Sequence, residues 1–268
     1  MNRTKLAIHG AAGRMGKRLI ALGHVDDRFE LVAAVDHPEH PEIGQDAGVL
    51  AGIGEIGVPL SGQLASQANV VIDFSIPEAC TAVTQWCHDQ GIALVAATTG
   101  LDDQQQQMLK QVSQKIAVLW APNMSLAVNL TAQLSALAAG TLAQVGTEAD
   151  VEIMERHHHF KEDAPSGTAI WLGQVIADRM GQTAHQHGRE GLIGKRPSGE
   201  IGYHALRVGD NPGEHTIVFG MLGETIELTV RATNRDCYAL GALQAANFLT
   251  GQTPGLYGMH DVLGVGCE

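Results

Sequence analysis

Apolar residues in the first half of the chain fall into short runs, separated by stretches of helical period. Residues 5–9 form a short apolar run that ends at glycine, and 13–22 have helical character. Residues 30–36 predict a second strand. The run over 69–75 is apolar and β-branched until it meets a polar residue. Pro77 then suits the first turn of a helix reaching Gln90, and Gly91 suits its C-cap. A strand over 92–97, a helix over 102–114 and a strand over 116–120 continue the rhythm. Such β-α-β alternation predicts a parallel sheet with helices on both faces.

The pattern changes after residue 124. A helix rich in Ala and Leu is predicted over 124–142, a strand over 149–157 and a helix over 168–180. Three strand candidates follow at 201–208, 215–221 and 225–232, joined by glycine-containing turns, before a last helix over 237–249. A run of strands after a β-α-β block predicts a second domain of α+β type with an antiparallel or mixed sheet.

Composition narrows the class. With 44% hydrophobic and 17% charged residues over 268 positions, the chain has material for a core and is not globally disordered. Its 32 glycines show no Gly-X-Y period, which excludes a collagen-like chain. Aromatics at 4% argue against base-stacking platforms. The net charge of −12 gives no general attraction to nucleic acid or anionic membranes, so neither is expected as a partner. Cys80, Cys87, Cys237 and Cys267 have neither CxxC nor zinc-finger spacing and read as reduced thiols. No apolar run approaching 18 residues and no signal pattern stand out, so a cytoplasmic protein is expected.

Two segments carry candidate chemistry. The first is Gly10-Ala11-Ala12-Gly13-Arg14-Met15-Gly16, between the first strand and first helix. A dinucleotide's pyrophosphate must approach the backbone closely and meet N–H groups at a helix N-terminus, and glycines permit that. The spacing is GxxGxxG rather than GxGxxG, and a tight strand-to-helix turn would also use glycines. Asp36 ends the second predicted strand, 20 residues after Gly16, where an acid can bind the adenosine ribose. His37 follows it, and His37 or Arg14 can meet the 2′-phosphate of NADP, so the cofactor is read as NADH or NADPH. Ala97-Thr98-Thr99 and Ala121-Pro122-Asn123-Met124 follow predicted strands and are candidates for the nicotinamide side.

The second segment is Glu155-Arg156-His157-His158-His159-Phe160-Lys161, leading through Asp163-Ala164-Pro165 to Ser166-Gly167-Thr168 at a helix start. A metal site is poorly supported: on a strand, His157 and His159 point away from His158, and no further group has ligand spacing. The alternative is an anion site with proton-transfer capacity. A histidine transfers protons near neutral pH, a lysine supplies compact charge, and the helix start supplies N–H and hydroxyl donors. That combination suits a small carboxylate substrate. A plain solvated charge run remains a further reading.

These residues resemble the 4-hydroxy-tetrahydrodipicolinate reductase (dihydrodipicolinate reductase) family over essentially the whole chain. The match includes Gly10–Gly16, Val71-Ile72-Asp73-Phe74-Ser75, Thr98-Thr99-Gly100, Ala121–Ser125 and Val128-Asn129. It continues through Glu155, His157-His158, Lys161, Asp163–Thr168, Gly202, Arg207-Val208-Gly209, Gly213–Thr216 and Gly223-Glu224. The His-His-x-x-Lys-x-Asp-Ala-Pro-Ser-Gly-Thr string is the specific part.

The resemblance implies an α/β fold. Residues 1–125 form a Rossmann-like doubly wound parallel sheet, 126–235 an α+β substrate and oligomerisation domain with a mixed sheet, and 236–268 a helix returning to the first domain. It implies NAD(P)H-dependent reduction of a cyclic imine dicarboxylate in lysine and diaminopimelate biosynthesis by a homotetramer. His157 and Lys161 take the catalytic roles, and His158, Ser166, Gly167 and Thr168 the substrate contacts. Gly10, Ala11, Ala12, Gly13, Arg14, Met15, Asp36, His37, Ala97, Thr98, Thr99 and Ala121–Met124 take the nucleotide contacts. No metal is implied. Ala12 and Ala97 stand where the family commonly has glycine, His37 where it often has Arg, and His159-Phe160 where some members have Arg and His. Two alternatives remain: another NAD(P)-dependent oxidoreductase acting on a different small acid, and a nucleotide sensor without turnover.

Overall fold

The computed structural model describes residues 3–64 and 67–265. Cys267 lies outside the described residues. The chain opens with β1 (Thr4–His9), α1 (Arg14–His24), β2 (Phe29–Val35), α2 (Ala47–Leu50), β3 (Leu60–Ser61) and β4 (Val70–Asp73). It continues with α3 (Pro77–Gln90), β5 (Ala93–Ala96), α4 (Asp103–Val112) and β6 (Ala117–Trp120). Next come α5 (Leu126–Gln144), β7 (Asp150–His157), α6 (Gly167–Met180), β8 (Ala184–His187), β9 (Glu200–Arg207), β10 (Gly213–Met221) and β11 (Glu224–Ala232). Helix α7 (Asp236–Leu249), strand β12 (Gly255–Tyr257) and helix α8 (Met259–Leu263) finish it. Two compact units result, Met1–Leu126 with Asp236–Glu268, and Ala127–Arg235.

The first unit holds a seven-stranded sheet in the order β12-β6-β5-β4-β1-β2-β3, with every pairing parallel. Period-two alternation sorts its side chains between two cores. Leu6, Ile8, Val70 and Ile72 pack with residues of α1 and α7, whereas Ala7, Val71, Leu94 and Ala96 pack with α3 and α4. Cys80 and Cys87 are buried in the second core, where burial pushes both thiols up. Strand order reverses between β1 and β4, and in such sheets ligands bind beyond the carboxyl ends at that point. Pro77 opens α3, and Gly91 closes it in the left-handed conformation with φ 69°. The expected helix over 236–268 is corrected: α7 ends at Leu249, and β12 adds a strand beside β6. Gly251, Pro254 and Gly255 explain the break, because proline removes a helix donor and glycine costs backbone entropy.

The second unit holds a mixed sheet in the order β11-β10-β7-β9-β8, antiparallel at β11-β10-β7 and parallel at β7-β9-β8. Val151, Ile153, Ile201, Ile217 and Phe219 form its core with Ala132 and Ala139 of α5 and Leu172 and Ile176 of α6. The expectation that no apolar stretch nears 18 residues is corrected by α5, which is 19 residues long and by length and composition apolar enough to cross a membrane. A helix that packs into a protein core has the same length and composition, and α5 buries Ala132 and Ala139 in the core of the second unit.

On the opposite sheet face, Glu152 accepts hydrogen bonds from Arg189 (2.7 and 2.9 Å), Arg196 (3.0 Å) and His204 (2.7 Å). Despite partial burial, which acts the other way, these hydrogen bonds, with the charge of Arg189, bring its pKa from an ordinary 4.5 down to about 2. A depressed folded-state value means stability present above 4.5 and lost as pH falls towards 2. Melting temperature should therefore drop over that window, and Glu152→Gln should flatten the drop.

Candidate active site

The glycine loop closes tightly. Gly10 has φ +74°, and a Cβ there would lie 2.5 Å from the Phe74 carbonyl oxygen. A Cβ on Gly16 would lie 2.2 Å from the Gly10 carbonyl oxygen. Both positions therefore require glycine, and Gly16→Ala should abolish dinucleotide binding or folding, read by ligand titration and melting. Helix α1 starts at Arg14 with Gly13 as N-cap, so the loop delivers the backbone to a helix N-terminus. Met15 is partly buried against the first core, and Arg14 is exposed.

Asp36 follows β2 and organises the same loop. Its carboxylate accepts the N–H of Ala12 at 2.9 Å and that of His37 at 2.8 Å. The Ala11 N–H donates to the Val35 carbonyl at 2.9 Å. A cavity of about 560 Å³ opens here, walled by Gly10, Gly13, Asp36 and His37 on one side and Ile76 and Ala79 on the other. A glycine-lined, largely apolar cleft with one acid at its rim fits the adenosine end of a dinucleotide.

The other predicted nucleotide contacts follow β5 and β6. Ala97 and Thr98 are buried, and Thr99 is exposed. The Thr98 hydroxyl is committed internally: it donates to Asp73 at 2.7 Å and accepts the Ser75 N–H at 3.1 Å. Ala121 and Met124 are buried, Pro122 is exposed, and the Asn123 side chain accepts the Ser125 N–H at 2.9 Å.

In the second unit, His157 ends β7 with Nδ1 2.6 Å from a Glu155 carboxylate oxygen. Glu155 and His157 are two residues apart, so they share a sheet face. The Glu155 side chain is fully buried and also accepts two bonds from Arg207 (2.7 and 2.8 Å) and the Ser166 N–H at 3.0 Å. Those donors and His157 outweigh burial and hold the Glu155 carboxyl below its ordinary range. Burial dominates at His157 and lowers its pKa, opposed by Glu155. A Cβ on Gly213 would lie 3.0 Å from His157 Nε2, so glycine keeps the outer edge of the ring clear. The buried His215 packs edge-on at 5.2 Å, is pushed down to about 4 by burial, and bonds the Ser166 hydroxyl at 3.0 Å.

Ser166 caps α6 by accepting the Ala169 N–H at 3.2 Å, with Gly167 and Thr168 in the first turn. Strand β7 stops at His157, so the strand alternation expected for His158 and His159 does not apply. The N–H groups of His158 and His159 bond the Asn211 and Gly209 carbonyls, and the His159 ring lies against Phe160 at 3.7 Å. Lys161 Nζ donates to both Asp163 carboxylate oxygens, at 2.7 and 2.9 Å. Among the described residues no group of three or more His, Cys, Asp or Glu side chains is placed to hold a metal.

Comparison with known proteins adds the family. Residues 4–124 match the model of the dihydrodipicolinate reductase N-terminus, and residues 127–263 that of its C-terminus. The chain belongs to the dihydrodipicolinate reductase family. It is 54% identical to the 4-hydroxy-tetrahydrodipicolinate reductase of Rhodopirellula baltica, covering 97% of this chain and 96% of that one. Identity to the enzyme of Alkalilimnicola ehrlichii is 48%, over 98% and 99% of the two chains. The solved dipicolinate-bound dihydrodipicolinate reductase from Paenisporosarcina sp. TG-14 aligns with a TM-score of 0.79 at 27% identity, over 97% of this chain and 99% of that one. Membership makes the chain an oxidoreductase with a nicotinamide cofactor and a small dicarboxylate substrate.

The site includes residues that sequence reasoning quoted without a role, or passed over. Asp73 interrupts an apolar strand, a visible signal, but its partner His9 sits 64 positions away. Glu155 could have been paired with His157 from strand periodicity, whereas Arg207 and His215 reach the site only through the β9 and β10 pairings.

Proposed function

We propose that this chain reduces 4-hydroxy-tetrahydrodipicolinate to tetrahydrodipicolinate in lysine and diaminopimelate biosynthesis, with His157 and Lys161 as its proton-handling pair. The Glu155–His157 contact at 2.6 Å carries the reading, because Arg207 and the Ser166 N–H fix that carboxylate in place. Glu155 orients the imidazole through Nδ1 and leaves Nε2 for the substrate.

The residues divide the work. His158, Lys161 and the α6 start at Ser166, Gly167 and Thr168 hold the two substrate carboxylates through charge and N–H donors. Reduced nicotinamide, when bound, supplies the hydride to the ring carbon conjugated with the imine. The hydroxylated precursor must first lose water to give that conjugated imine, and after hydride addition the neighbouring ring carbon needs a proton. His157 delivers the proton as imidazolium, with Lys161, which holds a substrate carboxylate, as the second donor. The substrate's negative charge favours protonated His157 over the free protein. Lys161 is paired with Asp163, and a substrate carboxylate takes over that charge on binding.

For the cofactor, Gly10, Ala11, Ala12, Gly13, Arg14 and Met15 serve the pyrophosphate, and Asp36 and His37 the adenosine ribose. Ala97, Thr98, Thr99, Ala121, Pro122, Asn123 and Met124 serve the nicotinamide side. We assign use of both NADH and NADPH: Asp36 can accept ribose hydroxyls, while His37 and His40 on the same cavity wall can meet a 2′-phosphate. A homotetramer in the cytoplasm completes the proposal. Met154 and Leu206, exposed on the sheet face away from the helices, favour assembly.

Dipicolinate titration tests the anion site. Lys161→Ala should weaken dipicolinate binding on the order of tenfold or more, as expected for losing a charged hydrogen bond. Unchanged binding would remove Lys161 from the site.

A further inference from the structure

We propose that His9, held by the buried Asp73 carboxylate, forms a polar floor contact for the adenosine diphosphate half of the dinucleotide. The proposal rests on the nucleotide reading above and assigns a residue that the glycine-loop motif does not contain.

Strands β1 and β4 are neighbours where the strand order reverses, and their last residues, His9 and Asp73, are register partners. Asp73 is fully buried and accepts three bonds, from His9 Nδ1 (2.6 Å), Ser75 Oγ (2.6 Å) and Thr98 Oγ1 (2.7 Å). These donors overcome burial and hold the Asp73 carboxyl below its ordinary range, so it acts as an acceptor only. His9 must therefore carry its proton on Nδ1 and direct it to Asp73. That fixes both the ring orientation and the tautomer of the neutral form.

Nε2 is left without a hydrogen-bond partner among the described residues. The His9 side chain is 14% exposed and forms part of the wall of the cavity that holds Asp36, His37, Ile76 and Ala79. The cavity spans the reversal, from the β2 end, where the acid marks the adenosine ribose, to the start of α3 after β4. A neutral ring offers Nε2 as an acceptor to a ribose hydroxyl, and a protonated ring offers N–H to a phosphate oxygen. Both groups belong to the same half of the cofactor. Asp73 also fixes Thr98, so one buried carboxylate ties the adenosine floor to the loop after β5.

Calorimetric titration of the full chain with ADP, adenosine and NADH tests this, with melting temperature recorded for each variant. His9→Ala should weaken ADP and NADH on the order of tenfold, the loss of one polar contact to a charged or hydroxyl group. His9→Asn keeps an amide that can donate to Asp73 but lacks the far ring nitrogen. It should retain the melting temperature of the wild type and still lose ADP affinity, which a purely structural His9 would not do. A parallel loss for adenosine places the contact at the ribose, and a loss confined to ADP and NADH places it at the phosphates. Wild-type affinity for ADP and NADH in His9→Asn would overturn the proposal. Failure of the wild-type protein itself to bind NADH or ADP would overturn the dinucleotide reading instead.

Discussion

His157→Ala lowers turnover by roughly 10²–10⁴-fold, the range for losing a general acid, while NADH affinity stays at the wild-type value. The pH profile separates this from a generic defect. Burial holds the His157 pKa below its ordinary 6.5, against the opposing pull of Glu155. The protonated ring is the active form, so kcat/KM should climb as pH falls below 6.5 and level off only beneath the His157 pKa. Glu155→Gln removes the group that raises that pKa and should move the limb to lower pH. A flat profile in both proteins, or wild-type turnover in His157→Ala, would take the proton donor elsewhere.

Arg207→Met should destabilise the second unit strongly. It strips two hydrogen bonds from a carboxylate with no exposed side-chain surface, leaving a buried charge with His157 and one N–H as its remaining partners. Removing one partner of a buried ion pair costs about 3–5 kcal/mol. Arg207 is itself 19% exposed, which favours the lower end of that range. Denaturant unfolding of the variant reads the cost. Adding Glu155→Gln to Arg207→Met removes the stranded charge and should recover part of it. Additive losses in the double variant would mean the pair is not energetically coupled.

The β-α-β alternation made the parallel sheet legible, because buried parallel strands such as Val70–Asp73 are nearly continuous apolar runs. Pro77 and Gly91 marked helix ends through backbone chemistry that is local in sequence. Strands β3, β8 and β12 were not legible. They have two, four and three residues, and β8 has no buried residue to give it a period. The long-range parts of the site were hidden for a related reason. His157 stands out as a histidine beside a lysine and a helix start, but Arg207 reaches Glu155 only because β9 lies parallel to β7. His9 reads as the last residue before a glycine turn until β4 brings Asp73 beside it.

A coupled assay decides the central claim. Substrate is generated in place from pyruvate and aspartate semialdehyde by the preceding synthase, and loss of reduced-nicotinamide absorbance is followed with NADH and NADPH separately. Rapid oxidation with both cofactors, dependent on the synthase and slowed by roughly 10²–10⁴-fold in His157→Ala, is the predicted result. Tight NADH binding without oxidation under the same conditions would contradict it: the dinucleotide fold would stand, and the reductase would not.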